Sequence, residues 1–207
     1  MARVVISVPH ALCRDDNDKV LHQCDVVAER IAKKLFDLLT DKGHRVALRI
    51  ADINRTEVDF NRPEGRDTPW RKALADDFPK ADFLLDCHSY PKSDKWPLDL
   101  YLLKWVDNNG GDNRKHVYDL LSHLSQVDLD VATSHSAKEN DIVAHALEHN
   151  LPAILVEFDE TSVADDEKRV VSRFVEAFDA FLNKSVKKKV EEGQVHELLG
   201  RLWTSKK

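Results

Sequence analysis

Residues 83–91, Phe-Leu-Leu-Asp-Cys-His-Ser-Tyr-Pro (FLLDCHSYP), decide the fold. A short apolar run gives way to polar sequence at a histidine, which is the signature of a buried strand delivering a side chain at its carboxyl end. The same arrangement occurs at residues 4–11, VVISVPHA, where His10 follows the run. Further runs at residues 45–50, 98–105, 127–133 and 153–158 also read as strands. Segments of helical period separate them. In residues 21–39, Val27, Ile31, Leu35, Leu38 and Leu39 recur at spacings that give one apolar face, and Lys42-Gly43 is expected to close that helix. Helices are also predicted at residues 68–76, 114–125, 138–150 and 165–182. This alternation predicts an α/β fold, a three-layer sandwich around a central, mostly parallel (mixed) sheet.

With 207 residues, 42% of them hydrophobic, the chain is long enough to bury a substantial core, and one domain over residues 1–207 is expected. A charged helical tail occupies about 184–207, where Val190, Val195, Leu198, Leu199 and Leu202 form an apolar stripe suited either to docking or to a detached interaction segment. The net charge of −6 argues against nucleic acid as a partner, because phosphate neutralisation needs clustered cations. The one basic run, Lys187 to Lys189, lies beside Glu191 and Glu192. No apolar run approaches the ~18 residues that span a bilayer, so no membrane segment is expected. The opening MARVVISVPH lacks the pattern of a signal peptide, which gives a cytoplasmic expectation. Three cysteines, Cys13, Cys24 and Cys87, make a disulfide framework unexpected and reduced thiols the default. Homo-oligomerisation is left open.

Polar groups gather at or just beyond strand ends: Pro9-His10, residues 54–62, residues 86–89 and Glu157. Open α/β sheets form their sites at that edge. Two imidazoles there suit a zinc-type ion, which takes nitrogen ligands and keeps a position open when catalytic. Either histidine alone is as readily a hydrogen-bonded structural residue; the pair in matching contexts is the stronger sign. The segment DINRTEVDFNRP packs Asp52, Asn54, Arg55, Asp59, Asn61 and Arg62 together. Arginines there would suit an anionic substrate, the plain alternative being a loop whose Asp and Arg satisfy one another. In PAILVEFDE, Glu157 stands among apolar neighbours, where desolvation raises a carboxyl pKa unless a cation is near. General-base work fits that setting; an ion pair with Arg62 or Arg55 is the alternative. Residues 51–69 and 107–112 are polar stretches expected to line a site. His135 reads as a cap to the following helix, and His145 with His149 as a solvated helix face. No Gly-rich phosphate loop follows the first strand, where VPHALCRDD stands, so nucleotide binding is not expected.

The succession SVPHA, a helix-opening Asp, NRTEVDFNRP, LLDCHS and LVEF resembles the N-formylglutamate amidohydrolase family in content and order, over most of residues 4–160. VDFNRP is its most specific part, similar to a signature shared with zinc carboxypeptidases and aminoacylases. The resemblance implies a phosphorylase/hydrolase-like fold and a Zn2+ (or other divalent metal) held by His10, His88 and a carboxylate. Asp25, in QCDVVAERIAKKL, is the favoured carboxylate; Asp15, Asp16 and Glu29 are rivals, because the carboxypeptidase pattern has a Glu where Cys13 stands. The alternative for Asp25 is a helix N-cap. The resemblance further implies that Arg55 polarises the scissile carbonyl, that Asn61 and Arg62 hold a substrate carboxylate, and that Glu157 activates the attacking water. The expected activity is hydrolysis of a linear amide in a formylglutamate-like N-acyl amino acid or similar anionic substrate. The same residues would also serve a metallopeptidase or aminoacylase, and a non-catalytic binding protein is the reading from another class.

Overall fold

Six of the chain's strands form one sheet in the order β2-β1-β3-β8-β4-β7, in a computed structural model that describes residues 1–12, 25–91, 98–103, 107–108, 111–134 and 140–204. β1 (Arg3–Val8), β2 (Arg45–Ile50), β3 (Phe83–Tyr90) and β8 (Ala153–Asp159) run parallel. β4 (Leu100–Leu103) is antiparallel to β8 and parallel to β7 (Val131–Ser134). The sheet is therefore mixed and mostly parallel. The expected strand at residues 98–105 is shorter where described, and the one at 127–133 begins only at Val131. Residues 107–112, expected as an irregular polar stretch, instead include an antiparallel ribbon of β5 (Asp107–Asn108) and β6 (Gly111–Asp112).

Strand side chains alternate between faces, and the faces bury different helices. Ile6, Leu85, Leu102, Val156 and Phe158 pack against α1 (Ala28–Asp41), α3 (Arg114–Leu124) and α5 (Glu160–Thr204). Val5, Leu84, Leu103 and Leu155 pack against α2 (Pro69–Ala75) and α4 (Asp141–Glu148). That is the three-layer sandwich expected from sequence. α1 turns Ile31, Ala32, Leu35 and Leu39 inward and ends where Gly43 takes φ 87°, a left-handed value that glycine adopts without cost. The His44 N–H then bonds the Leu39 carbonyl at 3.0 Å, closing the helix.

α1 begins at Ala28 rather than near residue 21; residues 13–24 lie outside the described residues. α4 begins at Asp141, after Asn140, whose side chain accepts from Val143 N. α5 is interrupted at Asp166 (φ −152°, ψ 71°), whose carboxylate accepts the Arg169 N–H at 3.0 Å. The predicted start at residue 165 coincides with this internal restart, because a side-chain cap looks the same in sequence wherever it acts. The backbone stays helical to Thr204, through the charged tail. Among the described residues, no helix is long and apolar enough to cross a membrane.

Candidate metal centre and its surroundings

β1 ends at Val8 and the chain turns at once, placing His10 over the carboxyl edge of the sheet. His88 lies in β3 on the face opposite Cys87; Cys87 packs beneath α1 and its thiol donates to the Ala28 carbonyl at 3.7 Å. The two imidazoles, both buried, meet edge to face with centroids 4.8 Å apart. Asp25 closes the group. Its Oδ2 lies 2.7 Å from His88 Nδ1 and 3.2 Å from His10 Nδ1.

Asp25 is not a helix cap. α1 starts three residues later, Val27 occupies the cap position, and no side chain caps it. The turn that carries Asp25 is instead pinned from neighbouring elements: Val26 N donates to Glu160 Oε1 (3.0 Å), Val27 N to Ser89 Oγ (3.3 Å), and Ser89 Oγ to Glu160 Oε1 (3.0 Å). Of the rival carboxylates, Glu29 points outward to Lys33 on the exposed face of α1, while Asp15 and Asp16 lie outside the described residues.

Each histidine's remote nitrogen meets its own carboxylate. His10 Nε2 is 2.9 Å from Asp59 Oδ1, and His88 Nε2 is 3.0 Å from Asp86 Oδ2. Asp86 is fully buried and accepts also from Ser7 Oγ (2.6 Å) and Asn140 Nδ2 (3.2 Å). Asp59 collects Arg55 and Arg62 at 3.7 and 3.5 Å, and Arg55 reaches Asp25 at 3.8 Å. The arginines and aspartates of this loop thus do pair with one another, but around His10 rather than in isolation. Gly65 brings the loop in: a Cβ there would lie 2.9 Å from Phe60 Cα.

Asn61 is buried, with Nδ2 3.4 Å from His88 Nε2 and Oδ1 accepting from Ile142 N at 3.3 Å. It ties the loop to the start of α4. Beneath it, fully buried Arg71 donates to the Phe60 carbonyl and to Asp141, which Arg66 also grips. His145, half-buried, joins this layer, whereas His149 lies exposed beside it, on the solvated face expected from sequence. Both pack on Phe78 at 5.5 Å, and burial, with Arg71 and Arg66 nearby, lowers His145 to about 4.

Glu157 stands in register with His88 across β3 and β8. It forms no hydrogen bond or ion pair with any described residue, so the expected alternative of a pair with Arg55 or Arg62 is not what holds it. Burial pushes its carboxyl up to about 8; His88 opposes the rise, and Asp25 and Asp86 reinforce it. The reverse holds for Asp25: burial alone would raise it, but His88 and His10 draw it down to about 2. For His88, burial would favour the neutral ring, yet Asp86 and Asp25 outweigh it and raise the imidazolium well above its ordinary range. Asp59 is lowered against its own desolvation, chiefly by His10.

The donor set suits a divalent cation. His10, Asp25 and His88 each offer one ligand atom, all within 4.8 Å of one another. Two atoms bound at roughly 2.05 Å in a tetrahedron stand about 3.3 Å apart, near the spacings from Asp25 to the imidazoles. Carboxylates behind both histidines fix which nitrogen faces inward, the arrangement that metal-binding histidines need. Asp59 and Asp86 were not singled out from sequence as partners of the histidines. Asp86 leaves a sequence trace, since it stands two positions before His88 and so shares its strand face; Asp59 is brought to His10 only by tertiary structure.

No family model matches the chain, and no curated protein sequence does. Among solved structures it resembles an N-formylglutamate amidohydrolase from Ralstonia eutropha JMP134, with TM-score 0.61 at 13% identity over 93% of this chain and 95% of that one. It resembles the catalytic domain of an N-acetylmuramoyl-L-alanine amidase from Bacillus (Paenibacillus) polymyxa var. colistinus, with TM-score 0.51 at 14% identity over 88% and 99%. A metallo-carboxypeptidase from Burkholderia cenocepacia gives 0.55 at 14%, over 88% of this chain but 57% of that one. At such identities the relationship is one of fold: the chain has the architecture found in N-formylglutamate amidohydrolase and in metallo-carboxypeptidases.

Proposed function

We propose that this chain is a metal-dependent hydrolase of a linear amide bond, acting on an anionic N-acyl amino acid of the formylglutamate kind. The observation that carries the reading is the convergence of His10 and Asp25 with His88, each imidazole backed by a carboxylate, one strand away from Glu157, which has no partner among the described residues. In this reading His10, Asp25 and His88 hold the ion, with zinc the best match to two nitrogens and one oxygen. Such an ion supplies Lewis acidity toward a carbonyl oxygen and acidifies water.

The chain's own groups do the rest. Glu157 takes a proton from the attacking water and returns it to the leaving amine; its raised pKa suits that exchange near neutral pH. Arg55, one-quarter exposed between Asp25 and Asp59, lends positive charge to the carbonyl oxygen as it becomes an oxyanion. Arg62, one-third exposed at the outer side of Asp59, and the buried Asn61 face the substrate carboxylate. The N-formylglutamate amidohydrolase and muramoyl-alanine amidase structures, both amide-cleaving by name, support the reaction class through fold.

The test is Glu157→Gln, assayed with N-formyl-L-glutamate and other N-acyl amino acids. Turnover should fall at least about 1,000-fold while zinc content is retained. Parent-level hydrolysis by the variant would refute the role of Glu157.

A further inference from the structure

The row that joins His88 to Glu157 continues into β4. Tyr101 pairs with Glu157 across the antiparallel β4–β8 ladder, as Glu157 pairs with His88 across β3–β8. Directly opposed residues point to the same side of a sheet, and neighbouring strands lie about 4.8 Å apart. Leu100 and Leu102, on either side of Tyr101, are buried on the α1, α3 and α5 face, which leaves Tyr101 on the face of the site. Its ring packs on that of Tyr90, two residues beyond His88, with centroids 4.9 Å apart.

The two phenols are used differently. Tyr90 donates its hydroxyl to the Leu98 carbonyl at 3.4 Å. The Tyr101 hydroxyl has no hydrogen-bond partner among the described residues, although the residue is only partly exposed. Burial, and then the charge of Glu157, raise its pKa well above the ordinary phenol value, so it stays a proton donor throughout the working range. A part-exposed phenol on the face of the site, in register with the proposed base, is placed to give a hydrogen bond to an acceptor that a ligand brings.

We propose that Tyr101 is a substrate-binding residue that sets specificity, donating a hydrogen bond to a carbonyl or carboxylate oxygen carried by the acyl group. The assignment rests on the reaction proposed above, with the substrate carboxylate toward Arg62 and the acyl group toward β4. One extended residue spans roughly 3.5 Å. An acyl group with one residue beyond the scissile carbonyl therefore reaches from Glu157 toward Tyr101, and a formyl group does not. Within the anionic N-acyl amino acids of the proposed reaction, those with an aminoacyl-containing acyl group are then bound better than the formyl compound.

Binding of N-acetylglycyl-L-glutamate and N-formyl-L-glutamate is measured by calorimetry on zinc-loaded protein in a Glu157→Gln background, which keeps both ligands intact, with and without Tyr101→Phe. Hydrolysis of each compound by the parent and by Tyr101→Phe is followed in parallel. Loss of one hydrogen bond should weaken acetylglycylglutamate about tenfold and formylglutamate by under about twofold, with zinc content unchanged. Equal losses for both ligands, no loss for either, or no binding of either would overturn the assignment. Hydrolysis by the parent without a Tyr101 effect would reject Tyr101 and keep the reaction. Discrimination through Tyr101 without hydrolysis would do the opposite.

Discussion

Asp86→Asn removes one negative charge while leaving the side-chain shape intact, and its two effects should separate. Asp86 accepts Ser7 Oγ on one oxygen and His88 Nε2 together with Asn140 Nδ2 on the other. An amide nitrogen can occupy only the Ser7 side, where the hydroxyl can rotate to become the acceptor. The remaining oxygen keeps His88 and Asn140. Folding stability should then fall by only about 1 kcal/mol. His88, however, exchanges a carboxylate partner for a neutral one, which makes it a weaker ligand, and zinc affinity should drop roughly 10–100-fold. Asp86→Ala differs, because it strands three buried donors at about 1–3 kcal/mol each and should cost several kcal/mol of stability. Competition against a chromophoric chelator measures the first effect, and denaturant unfolding of the chelator-stripped protein measures the second. Parent-like zinc affinity in Asp86→Asn, or a stability loss as large as that of Asp86→Ala, would exclude a role for the Asp86 charge in tuning His88.

The raised pKa of Glu157 predicts a pH effect on stability. Its carboxyl titrates at about 8 in the folded chain against 4.5 as the reference, so the folded state binds the proton more tightly. The stabilisation is complete below about 4.5 and is lost as pH rises through about 8, by on the order of a few kcal/mol. Unfolding of the metal-stripped protein between pH 5 and pH 8 should show this decline relative to Glu157→Gln, and zinc should flatten it by favouring the carboxylate; parallel curves for parent and variant would exclude it. Arg71→Met should cost roughly 1–3 kcal/mol, because the buried Phe60 carbonyl loses its donor while Arg66 keeps Asp141 paired; an unchanged denaturation midpoint would contradict that. The Cys87 thiol is buried, and desolvation raises its pKa well above the ordinary value, so Ellman's reagent should label Cys87 only after unfolding, as peptide mapping would show.

The legible parts of the chain were those whose signal is local. VVISV, FLLDC and AILV are buried on both faces and read as strands without any partner in view, and the α1 stripe with its Gly43 stop needed only helical period. The antiparallel direction of β4 was not legible, because a short apolar run carries no sign of its neighbour. His10, His88 and Asp25 could be nominated together by strand-end placement and by resemblance. The reason Asp25 sits where it does was not readable, since its turn is held by Ser89 and Glu160, 62 or more positions away. His145 departs from expectation for a related reason: its spacing from His149 suggested an exposed face, whereas Phe78 from a distant segment partly covers it and leaves His149 exposed. Tyr101 carried no sequence signal at all, because its position beside Glu157 exists only through the β4–β8 register.

The proposed centre stands or falls on metal content. Purified protein reconstituted with zinc and freed of excess should hold one equivalent, and His10→Ala, Asp25→Ala and His88→Ala should each lose nearly all of it while remaining folded by circular dichroism. Full zinc retention in any one of these variants would contradict the assignment of the centre.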